Sequence, residues 1–194
     1  MTRSYDQKRR AKSQGETRQR IVEATVALHQ EKGVAATKMT DIAERAGVGR
    51  MTLYRHFPDE GDLVQACVGH YYAARPFPDP ALWQAIPDPR ARLLAGLRAT
   101  YAFHRLTAAM MNRNLDAMRD DPVLEPFRAF LRQAEAVLAE PFADSATDAT
   151  KLGAALSLAL SFETWRLLAQ DRGMDDDQAA ELLVELICDG LTAG

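Results

Sequence analysis

Over the first sixteen positions, MTRSYDQKRRAKSQGE, apolar residues show no regular spacing. From Thr17 the pattern changes, and Ile21, Ala24, Thr25 and Leu28 recur at i, i+3, i+4 and i+7, with Val22 and Ala27 beside them. This stripe predicts a first helix that stops near Gly33, preceded by a flexible basic arm over residues 1–15 that is either a solvated tail or a DNA contact. A short second helix is expected from Thr37 or Lys38 to Ala46, with Ile42, Ala43 and Ala46 turned inward and Asp41 near its positive end. Gly47 ends it. After Val48 and Gly49 a third helix places Leu53 and Phe57 inward at i, i+4, and Pro58 closes it. Two short helices joined by a glycine turn make a helix-turn-helix.

Asp59 is suited to cap a fourth helix, Glu60 to about Ala74, after which Pro76, Pro78, Pro80, Pro87 and Pro89 interrupt helical structure around Trp83. Helical periodicity then returns over Arg90–Arg105, over Thr107–Arg119, and from Pro122 or Glu125 to Glu140. Two long helices are expected at the end, Asp148–Asp171 and Asp175–Leu191, packed as an antiparallel pair across Arg172-Gly173-Met174. No tract alternates at period two over the length of a strand, and no unit repeats. The fold class is therefore all-α: an N-terminal three-helix head joined by helix 4 to a C-terminal helical domain, with the head at 16–74 and the larger domain at 75–194.

Charge sharpens this division. The first 58 residues hold twelve Lys and Arg against six Asp and Glu, leaving twelve against twenty-one for the rest of a chain whose net charge is −3. A basic head on an acidic body suits a partner that is itself a polyanion. The most apolar tract, Leu152–Phe162, is about half the ~20 residues of a membrane helix, so no membrane association and a cytoplasmic location are expected. Two distant cysteines, Cys67 and Cys188, make no ligand spacing, and Cys67 with His70 at i, i+3 supplies only two ligands, so neither a metal nor a cofactor is expected. A glycine-rich phosphate loop, an HExxH pair and a nucleophile with its base are all missing, which argues against catalysis.

With Leu53 and Phe57 buried, Met51, Thr52, Tyr54 and Arg55 must face outward, flanked by Arg50 and His56. An exposed helix of mixed polarity is the plain reading of that surface. Against DNA each residue acquires a use: Arg50 can pair with a guanine, Met51 and Thr52 can touch a thymine methyl, and Tyr54, Arg55 and His56 can reach phosphates.

Three blocks at fixed spacing, TRQRIVEATVALHQEKG (17–33), MTDIAERAGV (39–48) and TLYRHF (52–57), together resemble the amino-terminal signature of the TetR family of transcription regulators. The all-helical layout and SFETWRLL (161–168) agree with that family. The resemblance implies that Arg50, Met51 and Thr52 approach bases, that Tyr54 and His56 contact phosphates, and that Thr40, or Thr37 with Lys38, meets phosphate at the start of helix 2. It further implies a dimer held by the last two helices, and a body that binds a small effector. Two positions depart from the pattern: His29 replaces an aromatic residue, and Glu60 stands where a lysine commonly holds phosphate.

The function expected is that of a ligand-responsive regulator, a repressor that binds palindromic double-stranded operator DNA as a homodimer and is released by a largely apolar small molecule. Residues 75–194 would form the ligand-binding and dimerisation domain. Tyr101, His104, Met111, Asn114, Phe127, Phe162 and Trp165 are the candidate effector contacts, with His104 and Asn114 as polar anchors. The dimer interface would use the small residues of 153–161 and Leu182, Leu183, Leu186 and Ile187. A helical-bundle enzyme and an effector-independent DNA-binding protein are the alternatives.

Overall fold

The computed structural model describes residues 2–143 and 148–192, and all regular structure among them is helical. Ten α-helices follow one another: α1 Thr2–Lys32, α2 Met39–Ala46, α3 Arg50–His56, α4 Glu60–Ala73, α5 Ala81–Gln84, α6 Pro89–Asn114, α7 Glu125–Ala139, α8 Ala149–Leu160, α9 Phe162–Trp165 and α10 Asp176–Thr192. They divide into two compact units. One, the head, comprises Met1–Pro76 with Ala109–Val123, and the other, the body, comprises Phe77–Ala108 with Leu124–Gly194. The head is thus not one continuous stretch, as a boundary at residue 74 would make it.

In the head, α1 packs on α2 and α4, and Ile21, Val22, Leu28, Ile42, Leu53, Phe57 and Leu63 form its core. Gly47 turns the chain between α2 and α3 with φ of 64°, a left-handed conformation that costs glycine no Cβ strain, and its N–H reaches back to the Ala43 and Glu44 carbonyls. Asp59 caps α4 by accepting the Gly61 N–H at 2.6 Å. Glu31 and Arg45 form a double hydrogen bond at 2.9 and 2.6 Å that ties α1 to α2.

A second tie comes from far along the chain. Gly33 ends α1 with φ of 86° and gives its N–H to the His29 carbonyl at 3.1 Å, so the second lone pair of that carbonyl and the Val34 N–H look beyond α1 for partners. The Asn114 amide supplies both, donating to the His29 carbonyl at 3.1 Å and accepting the Val34 N–H at 2.7 Å, while it is itself only 5% exposed. Val26, Cys67 and Tyr71 make a small buried cluster, with Met110 packed against it. Residues 109–123 therefore complete the head.

The body is built around α6, α7 and α8. Arg92, nearly buried, donates to the carbonyls of Gln84 and Ile86 at 3.0 and 2.8 Å and to Glu140 at 2.8 Å, fastening the proline-rich segment to the end of α7. Phe77, Phe103, Phe127 and Phe130 gather at ring separations of 5.2–6.4 Å.

Three elements differ from the sequence expectation. Helix 1 starts at Thr2 and not at Thr17, so the stretch expected as a flexible arm is helical, apart from Met1, which lies outside the described residues. Residues 7–20 hold no proline and many good helix formers, and propensity continues a helix that α1's apolar stripe has nucleated. The two helices expected over 90–119 are one, α6, ending at Asn114. Thr107, inside it, is buried and returns its hydroxyl to the Phe103 carbonyl at 2.8 Å, so no break is needed.

The helix expected over 148–171 breaks at Ser161, whose extended backbone and hydroxyl, accepting the Thr164 N–H at 3.1 Å, start α9 afresh. The freed carbonyls of Ala159 and Leu160 accept Tyr101 Oη–H and His104 Nε2, each at 2.9 Å. Side chains from α6 thus replace the intrahelical bonds that would have continued α8.

Candidate nucleic-acid interface

Helix α3 presents the pattern its sequence dictates. Leu53 and Phe57 have no exposure, and Arg50, Met51, Tyr54 and Arg55 are exposed, Met51 at 82%. Thr52 and His56 are half-buried at the flanks. Among the described residues no ion pair engages Arg50 or Arg55, in contrast to Arg45, which is committed to Glu31. An unpaired guanidinium beside an exposed methionine offers donors that match base edges next to an apolar surface that matches base methyl groups.

The start of α2 stands beside α3. Thr37, Lys38, Thr40, Arg50 and Tyr54 line one cleft of about 440 Å³, with His29, Ile42 and Leu63 among its walls. Lys38 sits at the N-cap of α2 with extended backbone (φ −101°, ψ 150°), where the helix presents its free N–H groups. Five of the nine candidate DNA contacts thus share a concave surface, and Met51, Thr52, Arg55 and His56 continue along α3. Glu60, from the first turn of α4, lines the same cleft. Lys32 hydrogen-bonds Asp41, which holds that carboxyl below the usual range, so Asp41 is occupied inside the head. Burial, then the nearby Arg55 and Arg18 charges, push the His56 imidazole below its ordinary value.

The departure at His29 is absorbed by the core. Its ring is 5% exposed, lies 3.7 Å from Cys67 Sγ through Nδ1, and is held neutral by burial. Burial likewise pushes the Cys67 thiol up to about 12, so it packs as a small apolar group. His70 turns elsewhere, with Nδ1 at 3.3 Å from Gln19 Nε2. Among the described residues no three His, Cys, Asp or Glu side chains stand close enough to hold a metal ion, and no helix is long and apolar enough to cross a membrane.

The candidate effector contacts separate into two groups. Tyr101, Phe127, Phe162 and Trp165 surround His104 in the body, with ring centroids 5.5–6.2 Å from the imidazole. His104 is fully buried, which pushes its pKa down to about 4. Its Nε2 must carry the proton given to the Leu160 carbonyl, so Nδ1 is an acceptor, and it has no partner. Met111 and Asn114 are instead parts of the head. Asn114 is spent on His29 and Val34 and does not stand with His104 as a polar anchor.

One participant gave no sequence signal. Asp176, the first residue of α10, accepts the Trp165 indole N–H at 2.8 Å and N–H groups from two of the three Arg105 guanidinium nitrogens, Nε and Nη2, each at 2.7 Å. Burial works against its charge, but these bonds hold its carboxyl below the usual range.

Comparison with known proteins places the match where this geometry lies. Residues 21–67 match the model of the family described as bacterial regulatory proteins, tetR family. Over 59 residues the chain is 48% identical to the HTH-type transcriptional regulator TtgR of Pseudomonas putida, covering 30% of this chain and 28% of that protein. It is 39% identical over 62 residues to the HTH-type transcriptional repressor KstR of Mycolicibacterium smegmatis, covering 32% and 30%. The chain thus matches less than a third of the length of these curated relatives. Among solved structures, NalD of Pseudomonas aeruginosa, the secondary repressor of the MexAB-OprM multidrug efflux pump, aligns with TM-score 0.62 and 24% identity over 93% of this chain and 98% of its own. A TetR-like transcriptional regulator from Rhodococcus aligns with TM-score 0.61 and 18% identity over 92% and 97%. At these identities the structural likeness is one of fold.

Proposed function

We propose that this chain, whose head belongs to the TetR family of bacterial regulatory proteins, is a ligand-responsive transcription regulator: a repressor that binds a palindromic operator as a homodimer and is released by a small, largely apolar effector. The observation that carries it is the outward face of α3, where Arg50, Met51, Tyr54 and Arg55 stand free on a helix whose other side is the core of the head. Arg50 reads a guanine, and Met51 and Thr52 pack on thymine methyls. Tyr54, Arg55 and His56 hold backbone phosphates, joined by Thr37, Lys38 and Thr40 at the start of α2. Replacing Arg50 by Ala is expected to weaken operator binding by ~1–3 kcal/mol and to relax preference at one base position of each half-site. Competition against operators altered one base at a time reads this directly. Equal loss on every variant would make Arg50 a phosphate contact.

Glu60 works against the same backbone. A carboxylate in a cleft with Lys38, Arg50 and Tyr54 repels a phosphate seated there, so Glu60→Gln is expected to tighten operator binding about two- to fivefold, the scale of ~0.5–1 kcal/mol between exposed charges. The gain should shrink with added salt. Affinity that is unchanged at low salt would place the phosphate away from Glu60.

The body supports the sensing half of the reading. The ring cluster around His104 combines aromatic surfaces with a single unpartnered acceptor, the composition of a site for an apolar molecule bearing one hydrogen-bond donor. The whole reading is tested by sequencing the fragments that the purified protein retains from its own genome. Retention of one operator, reversed by a compound tied to the neighbouring genes, is expected, and indiscriminate retention would sink it.

A further inference from the structure

The leading part of α1 has no core to serve. From Gln7 to Arg20 it carries six Lys and Arg against one acid, Glu16, and its described side chains are exposed apart from the half-buried Thr17. On one face, Lys8, Ala11, Gly15 and Arg18 follow at i, i+3, i+7 and i+10. That face meets the end of α3. Ala11, Gln14, Gly15 and Arg18 line a groove of about 380 Å³ together with Arg55 and His56, and the Arg18 guanidinium lies 4.4 Å over the Phe57 ring, which seats α1 against the recognition helix. Ala11 and Gly15 give the groove a small-residue lining, and Arg18 and Arg55 give it positive charge. The positive charge of Arg18 and Arg55 is felt at His56.

We propose that this groove and the basic helix leading into it bind the DNA backbone beside each half-site, so that the protein covers more duplex than its recognition helices read. The proposal rests on the DNA-binding reading of α3. Two features choose duplex DNA as the occupant: the charge is complementary to a polyanion, and the groove shares Arg55 and His56 with the DNA-reading helix. The length is also apt. Residues 7–20 span ~20 Å at 1.5 Å per residue, which matches about six base pairs at ~3.4 Å each. Contacts of this kind add affinity and salt dependence without adding sequence preference.

The test uses the full chain and a duplex that it selects from a random-sequence pool, compared with the same duplex shortened by about six base pairs at each end. The longer duplex is expected to bind more tightly, with a salt slope steeper by about 0.9 for each flanking phosphate, or ~3.5-fold in affinity per phosphate between 50 and 200 mM salt. A Cβ at Gly15 would meet nothing within 4 Å, so Gly15→Glu sets a carboxylate in the groove without displacing a neighbour, and Gly15→Ala serves as its control. The length effect should survive in Gly15→Ala, vanish in Gly15→Glu, and fall in Lys8→Gln with Lys12→Gln, while preference among core bases stays fixed. Equal slopes on both duplexes, or a length effect that Gly15→Glu leaves intact, would overturn the proposal and leave the α3 reading standing. Failure to select any duplex would overturn both.

Discussion

Replacing Phe57 by Ala is expected to destabilise the head by about 3–5 kcal/mol. Phe57 is fully buried, packs in the cluster that joins α1, α2, α3 and α4, and closes α3 through its N–H to the Leu53 carbonyl at 2.9 Å. A ring removed from that position leaves a cavity between helices that other bonds hold in place, so the site cannot simply collapse. Domains are stable by only ~5–15 kcal/mol, and the loss takes a large share of that. The unfolding transition of the head, followed by circular dichroism, should fall by at least ~12 °C. Phe57→Leu, which keeps an apolar side chain, should recover much of the loss. A shift of only a degree or two for the alanine variant would mean that α3 is not anchored through this ring.

On the proposed homodimer, placing Glu at both Leu158 and Leu186 is expected to leave monomers and to lower operator affinity by about 100-fold or more. Both side chains are exposed in the single chain, at 64% and 62%, on helices α8 and α10, which pack on each other. Ala154 and Ser157 lie beside Leu158 on the exposed side of α8, small enough for a second helix to approach closely. A two-fold interface repeats every substitution, so each dimer would bury four unpaired carboxylates, and one buried unpaired charge already costs ~3–5 kcal/mol. Leu183 and Ile187 are covered within the protomer, and charging either would unfold the body before it tested the interface. Sedimentation at micromolar concentration distinguishes the outcomes. A variant that still sediments as a dimer and still binds operator would move the interface to another face.

The head was legible because its signals are local. Gly47, Pro58 and the pair Leu53 and Phe57 each act within a turn or two, and the structure sets α2 and α3 within a residue or so of the expected bounds. What was not legible depends on partners distant in sequence. Ser161 ends α8 because Tyr101 and His104, more than fifty residues earlier, take up its terminal carbonyls. Asn114 is a candidate effector anchor in the sequence as a polar group among apolar ones, and the sequence could not show that its amide bonds backbone groups at least eighty residues away. The opening of α1 was hidden for another reason: periodicity reports a buried face, and a solvated helix has none to report.

The clamp formed by Asn114 also bears on how the protein is made. As the chain leaves the ribosome, residues 1–76 emerge with the Val34 N–H still lacking the Asn114 side chain that pairs it. Asn114, and with it the rest of residues 109–123, can join the head only after residues 77–108 of the body have been synthesised. Translation therefore delivers the last part of the head after the body has begun.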